Sequence, residues 1–106
     1  MGSRVVHEVR VAAAKRVLFL PQAIRQMAHP NRMISAAEVA AVVAQGELVE
    51  DYPNDPRSDS CLLLGFRDDG RPIHVVCSPK KDYLAIITAY PPDPAQWSAD
   101  FKTRVP

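Results

Sequence analysis

Cys61-Leu62-Leu63-Leu64-Gly65-Phe66-Arg67-Asp68-Asp69-Gly70-Arg71-Pro72-Ile73-His74-Val75-Val76-Cys77 is the longest segment with an unbroken strand–turn–strand pattern. Two apolar runs flank Asp68-Asp69-Gly70, which suits a type I turn with glycine in the bulge position, so the stretch reads as a β-hairpin. A loop over residues 68–70 pairs Arg67 with Arg71, and counting back sets Leu64 opposite His74 and Cys61 opposite Cys77. A tighter turn at Asp69-Gly70 alone would slip every one of these pairs. In the first register the cysteines meet across the strands. A directly paired cross-strand bridge is strained and the expected compartment is reducing, so free thiols are predicted.

Working outward, Leu48–Tyr52 reads as a strand before the hairpin and Leu84–Tyr90 as a strand after it, joined by Ser78–Asp82. Connections this short imply an antiparallel meander, because a parallel return needs a crossover of about a dozen residues or more. If the next hairpin pairs Cys77 with Tyr83, then Leu84, Ile86, Thr88 and Tyr90 share the face of His74. Beyond it, Asp93 caps and Pro94 opens a final helix in which Trp97 and Phe101, at i and i+4, dock on the sheet.

Upstream, Ser35 and Glu38 have capping-box spacing, Val39, Val42 and Val43 make an apolar stripe, and Gly46 is expected to supply a left-handed stop. Pro21 opens an earlier helix and Pro30 closes it, after a short strand over Arg16–Leu20. In Arg4–Lys15 a helical stripe (Val5, Val9, Ala12, Ala13) competes with alternation (Val5, His7, Val9, Val11), and the alanine triplet tips the segment towards helix. The expected class is α+β: amino-terminal helices packed on an antiparallel sheet of four to five strands, with a short carboxy-terminal helix. The 106 residues form one domain, 1–15 as a helical extension and 16–104 as the body.

The composition agrees, with 47% hydrophobic and 24% charged residues in a length too short for two independent cores. No apolar run approaches the roughly 20 residues of a membrane span, and the basic start lacks a signal peptide's apolar region, so a cytoplasmic protein without membrane contact is expected. Met1–Gln45 carries six Arg/Lys against two acids and Gly46–Pro106 seven against ten, a split of +4 and −3. A basic half is compatible with a polyanionic partner, and equally with scattered solvated charge. Cys61 and Cys77 lack metal spacing, and neither a bound metal nor another cofactor is predicted.

His74 is the one polar side chain in Pro-Ile-His-Val-Val-Cys, and its face brings Thr88 and Tyr90 near it. Arg71 lies at the hairpin end. Cleaving RNA without a metal needs a base for the ribose 2′-hydroxyl, a donor for the leaving oxygen and cations for the phosphorane charge, which His, Tyr and Arg supply. A half-buried strand histidine beside a core tyrosine explains the same spacing. Arg25 and Arg32, on and just past the Pro21 helix, are candidate phosphate contacts or ordinary surface arginines. Glu47, Glu50, Asp51, Asp55 and Asp59 read as a solvated acidic rim rather than a divalent-metal site. No GxSxG, glycine-rich phosphate loop or HExxH is present.

Phe19-Leu20-Pro21-Gln22-Ala23-Ile24-Arg25-Gln26-Met27, Pro30-Asn31-Arg32-Met33-Ile34-Ser35, Gly46-Glu47-Leu48-Val49-Glu50-Asp51-Tyr52-Pro53, Gly70-Arg71-Pro72-Ile73-His74-Val75-Val76, Ile86-Ile87-Thr88-Ala89-Tyr90, Trp97 and the Phe101/Arg104 pair recur in order. Together they resemble an uncharacterised bacterial family of domains of unknown function, over roughly Leu18 to Arg104. The resemblance implies a fold similar to the RelE-like toxins, within the barnase, EndoU, colicin and RelE group of metal-independent ribonucleases. It also implies a place beside a YgiT-type zinc-finger antitoxin, and RNA as target, with or without the ribosome. Carried over by residue, His74 and Arg71 match a Gly-Arg-Pro-x-His motif, Tyr90 the strand-end tyrosine and Arg104 the terminal basic position. Gln22 departs, standing where the family usually has histidine, and glutamine exchanges no proton near neutrality. The expected function is therefore an endoribonuclease toxin of a toxin–antitoxin pair, inactive or weak because of Gln22; the alternative is a non-enzymatic protein- or RNA-binding module using the same sheet face.

Overall fold

The computed structural model describes residues 2–53 and 59–106. Chain order is α1 (Gly2–Lys15), β1 (Val17–Phe19), α2 (Pro21–Ala28), α3 (Ala36–Gln45), β2 (Glu47–Tyr52), β3 (Ser60–Phe66), β4 (Pro72–Pro79) and β5 (Leu84–Tyr90). Among the described residues the fold is α+β, with three helices and a five-stranded sheet ordered β1-β5-β4-β3-β2. All neighbours are antiparallel except the edge strand β1, which runs parallel to β5. Its parallel return is possible because α2, α3 and the whole meander lie between β1 and β5 in sequence.

The decisive hairpin has the wider of its two registers. Arg67 N–H donates to the Arg71 carbonyl and Gly70 N–H to the Arg67 carbonyl, both at 2.8 Å, with Gly70 at φ 87°. Leu64 therefore faces His74, and Cys61 faces Cys77. The two cysteines are free and buried, with Sγ atoms 3.9 Å apart. Their contact and their burial both push the Cys77 thiol up, so it stays protonated.

One face of the sheet holds Ile73, Val75, Cys77, Cys61, Leu63, Leu84, Ile86 and Ala89, all buried against Val9, Ala12, Ala23, Met27, Val39, Val42 and Val43 of the helices. The capping box at the start of α3 is complete: Glu38 N–H donates to Ser35 Oγ at 3.1 Å and Ser35 N–H to Glu38 Oε1 at 2.9 Å. Arg10 on α1 donates to the Val43 and Gly46 carbonyls at the other end of α3, at 3.3 and 3.0 Å, occupying acceptors the helix leaves open. Arg67 spans from the hairpin to Glu38 at 2.7 Å and to the Met33 carbonyl at 2.8 Å.

Three expectations are corrected. Gly46 is extended, φ −70°, not left-handed. Its reason is space, because a Cβ there would sit 2.5 Å from the Val42 carbonyl oxygen and 2.8 Å from that of Leu64. The second hairpin pairs Cys77 with Ile86, not Tyr83, and an irregularity then sets Val76 opposite Thr88, leaving Ile87 as an extra residue. The carboxy-terminal helix is absent: Gln96 and Trp97 N–H groups reach the Asp93 carbonyl at 2.9 and 3.1 Å, and the chain then doubles back through a Trp97–Arg104 bridge. Ser98 and Val105 N–H groups donate across this turn, to Thr103 and Gln96 carbonyls, where a helix would need donors to i−4. Ser98 and Asp100 side chains bond locally, and Phe101 takes φ 61°, which a helix cannot accommodate.

Gly65 marks where α3 touches the sheet. A Cβ at this position would lie 2.5 Å from Val42 Cγ2 and 3.2 Å from Val42 Cα, so the helix itself would have to move. Gly65→Ala is expected to destabilise by about 1–3 kcal/mol, as overpacking does. Urea unfolding of the two proteins checks this, and equal midpoints would refute it.

Candidate functional site

The second face of the sheet is built around His74, at the centre of β4. Pairing places Tyr90 directly opposite on one side and Leu64 on the other, with Thr88 opposite Val76 in the next row. Leu62, Leu64 and His74 are buried here although none of the three helices covers them. The cover is the segment after β5. Trp97 packs its ring at 87° to the His74 imidazole with centroids 4.5 Å apart, and Tyr90 meets the same imidazole edge-on at 5.5 Å. Arg104 lies 4.7 Å over the outer face of Trp97, a cation–π contact.

Two bulges bring side chains to this face that simple alternation sends elsewhere. On β2, Leu48 pairs with Leu63 but Glu50 pairs with Leu62, so Val49 is the inserted residue. Leu48 consequently packs on the helical core, whereas Glu50 and Tyr52, two and four residues on, turn to the His74 side. On β5 the extra Ile87 does the same: Leu84 and Ile86 face the helices, Thr88 and Tyr90 face His74.

Glu50 receives Arg104 bidentately, Nε to Oε2 at 2.9 Å and Nη2 to Oε1 at 3.0 Å, and also accepts from the Tyr52 hydroxyl. Arg104 holds the Glu50 carboxyl below its usual range, while Glu50 raises the Arg104 guanidinium. Burial, then the Glu50 contact, pushes Tyr52 up to about 12. A second ion pair, Lys102 to Glu47 at 2.9 Å, fastens the covering segment to the start of β2. Glu47 and Glu50 are thus anchors for this segment rather than a solvated rim; Asp55 lies outside the described residues.

His74 has no exposed surface. Its Nε2 sits 2.9 Å from the Phe101 carbonyl oxygen. A carbonyl only accepts, so Nε2 carries the proton. Burial lowers the imidazole pKa, partly offset by the Phe101 carbonyl and Glu50, so near neutrality the ring is uncharged and Nδ1 is a bare lone pair. That Nδ1 is buried and has no hydrogen-bond partner among the described residues.

The residues expected from sequence are only partly assembled. His74, Tyr90, Thr88 and Arg104 converge. Arg32, half-buried just after α2, bonds Gln26 and lies close enough for its charge to favour Tyr90 ionisation, although burial dominates and raises that phenol. Arg71 stays at the hairpin tip, exposed, with Nε 2.7 Å from Asp69 Oδ2. Gln22 and Arg25 are exposed on α2. Glu50, Tyr52 and the Phe101 carbonyl are the members sequence reasoning missed. Among the described residues no group of three or more His, Cys, Asp or Glu is placed to hold a metal ion.

The folded chain keeps His74 neutral where the unfolded chain binds a proton, so stability rises with pH across the interval between the depressed value and the ordinary 6.5. Glu38 and Glu50, both held below their ordinary 4.5, add a further loss under more acid conditions. The melting temperature is expected to be level above neutrality, to fall below about pH 6.5 and to fall again below about pH 4.5. His74→Gln should abolish the first limb and keep the second, as read by thermal melts across pH; an unchanged first limb would assign it to another group.

Neither the curated proteins nor the solved structures contain a match to the chain. A family model described as a domain of unknown function (DUF4258) matches residues 19–91, from the last residue of β1 to just past β5, and so includes His74, Thr88, Tyr90, Arg71, Glu50 and the Gln22 helix. The chain belongs to the DUF4258 family.

Proposed function

We propose that this domain is an RNA-cleaving toxin of the RelE-like kind, working in the cytoplasm under the control of a YgiT-type zinc-finger antitoxin, with His74 as its proton-transfer residue. The observation that carries this reading is the unpartnered Nδ1 lone pair of His74 in the middle of the sheet face turned away from the helices. Leaving a buried acceptor unsatisfied costs about 1–3 kcal/mol, and a cost of that kind within a cluster of Tyr, Arg and Glu calls for a role beyond packing. The supporting residues are Tyr90, Thr88 and Arg104 around the ring.

In the proposed reaction the ribose 2′-hydroxyl gives its proton to His74 Nδ1 and its oxygen attacks phosphorus. The bond from phosphorus to the 5′-oxygen breaks, leaving a 2′,3′-cyclic phosphate and a 5′-hydroxyl that takes a proton from Tyr90. Burial keeps that phenol protonated. Arg104 stabilises the phosphorane charge, exchanging its carboxylate partner for phosphate, while Arg71 at the hairpin tip, Arg25, Arg32 and Thr88 meet the flanking backbone. RNA reaches His74 when the Trp97 ring swings off the imidazole while the Phe101 carbonyl and Arg104 keep their places.

A different observation favours a second reading. His74 is wholly enclosed and Gln22 offers no titrating proton, which suits a non-enzymatic module that binds protein or RNA through this face.

Cleavage of bulk and ribosomal RNA separates the two. Gln22→His is expected to raise cleavage at least tenfold over the parent chain, the low end for one restored proton-transfer group, and to make expression harmful without antitoxin. His74→Ala in that background should return cleavage to baseline while circular dichroism shows a folded protein. No gain from Gln22→His, or cleavage indifferent to His74, would leave the binding-module reading in place.

A further inference from the structure

The charges outside the His74 face are unevenly matched. Among the described residues, five ion pairs occupy Arg4, Arg67, Arg71, Lys102 and Arg104. Lys15, Lys80 and Lys81 have no carboxylate of the described residues within ion-pairing distance, and the three come together where the end of α1 meets the β4–β5 turn. Lys15 Nζ donates to the Lys81 carbonyl at 2.9 Å, which ties the helix end to the turn and holds like charges side by side. Between them is a cleft of about 300 Å³ lined by His7, Val11, Lys15, Pro79, Lys80 and Lys81. Glu8 also borders it, 3.7 Å from Arg4, and Asp82 stands next to Lys81 in the chain.

Three lysines against Glu8, which Arg4 also engages, and Asp82 are an excess of like charge that raises the energy of the free protein, and an anion entering between them relieves it. The helix end explains one cation, Lys15; Lys80 and Lys81 belong to another element. Lysine ammonium groups are flexible point charges that donate to a phosphate oxygen from many directions and impose no bidentate geometry, which suits a repeating backbone better than a single planar carboxylate.

We infer that the Lys15–Lys80–Lys81 cleft is a second anchor for RNA, gripping phosphodiester groups without reading bases, on the helical side of the sheet and away from His74. This rests on RNA being the ligand, as proposed above. Lys80 lies six residues beyond His74 along β4, about 20 Å at strand spacing, so a strand anchored here touches the two sites through different nucleotides. The anchor contributes affinity and position and takes no part in proton transfer.

Fluorescence anisotropy of a labelled single-stranded oligoribonucleotide, titrated with the full chain at several salt concentrations, tests it. Lys80→Ala with Lys81→Ala is expected to weaken binding about tenfold and to reduce the slope of log affinity against log salt by about 1.4, or 0.7 per lost phosphate contact. Lys81 is exposed and Lys80 half-buried, and a thermal melt confirms that the fold is kept. RNA affinity and slope unchanged by the double substitution would overturn the anchor and leave the His74 reading standing, since that reading is judged by cleavage. Displacement of the RNA by polyglutamate at equal charge concentration would overturn it in favour of an acidic protein surface. RNA that the parent chain does not bind at all would overturn the anchor, and with absent cleavage in Gln22→His the RNA reading too.

Discussion

The hydrogen bond that His74 Nε2 gives to the Phe101 carbonyl joins the middle of the sheet to the segment that covers it, and the alignment of the second face depends on it. It selects the ring tautomer and leaves Nδ1 bare. Alone it holds the segment weakly, since a net hydrogen bond is worth about 1 kcal/mol, and an exposed ion pair such as Lys102 to Glu47 is screened by water and adds little. The larger share comes from Trp97, because an aromatic side chain buries about 150–250 Å² and each square ångström is worth about 25 cal/mol. Trp97 is the fastening, Arg104 and Lys102 are its outer clasps, and the His74 bond sets the alignment.

A single sheet thus has two differently built sides. Against α1, α2 and α3 it carries aliphatic residues in contact over the whole meander, with Gly65 admitting α3 to van der Waals distance. On the other side its apolar rows are interrupted by His74, Glu50, Tyr52 and Thr88, and their cover is a doubled-back segment without a helix or long strand. The first side supplies most of the stability. The second, held by one large ring and a few polar contacts, is the side on which opening costs least.

The parts of this arrangement that were legible in sequence are those governed by local chemistry. Asp68-Asp69-Gly70 determines a loop length, and loop length determines which residues face each other, so the pairs Leu64–His74 and Cys61–Cys77 could be counted. Ser35 and Glu38 announce a helix start because their hydrogen bonds close within four residues. Asp93-Pro94 announces a start equally well, but a start signal cannot say how far a helix continues, and here cross-turn pairing takes the donors after one turn. Tyr90 was legible beside His74 from strand parity, and Arg104 only through the family resemblance. Glu50 and Tyr52 were missed for a geometric reason: Leu48, Glu50 and Tyr52 alternate in one phase, which places all three on one face until Val49 is inserted. Nothing in Leu48-Val49-Glu50 marks that insertion. Arg71 was expected near His74 on reach alone, whereas the nearer carboxylate of Asp69 holds it at the turn.

The bulges at Val49 and Ile87 also govern how such a chain tolerates changes in length. Loss of either single residue would restore plain alternation and rotate the remainder of that strand by half a turn, sending Glu50 and Tyr52, or Thr88 and Tyr90, into an aliphatic core that has no partner for them. Removal of two neighbouring residues would preserve the faces and merely shorten the strand. In β2 and β5 the permitted steps of insertion and deletion are therefore even, whereas the connections between strands have no such parity rule. The chemistry assembled on this sheet depends on the count of residues within two strands as much as on their identity.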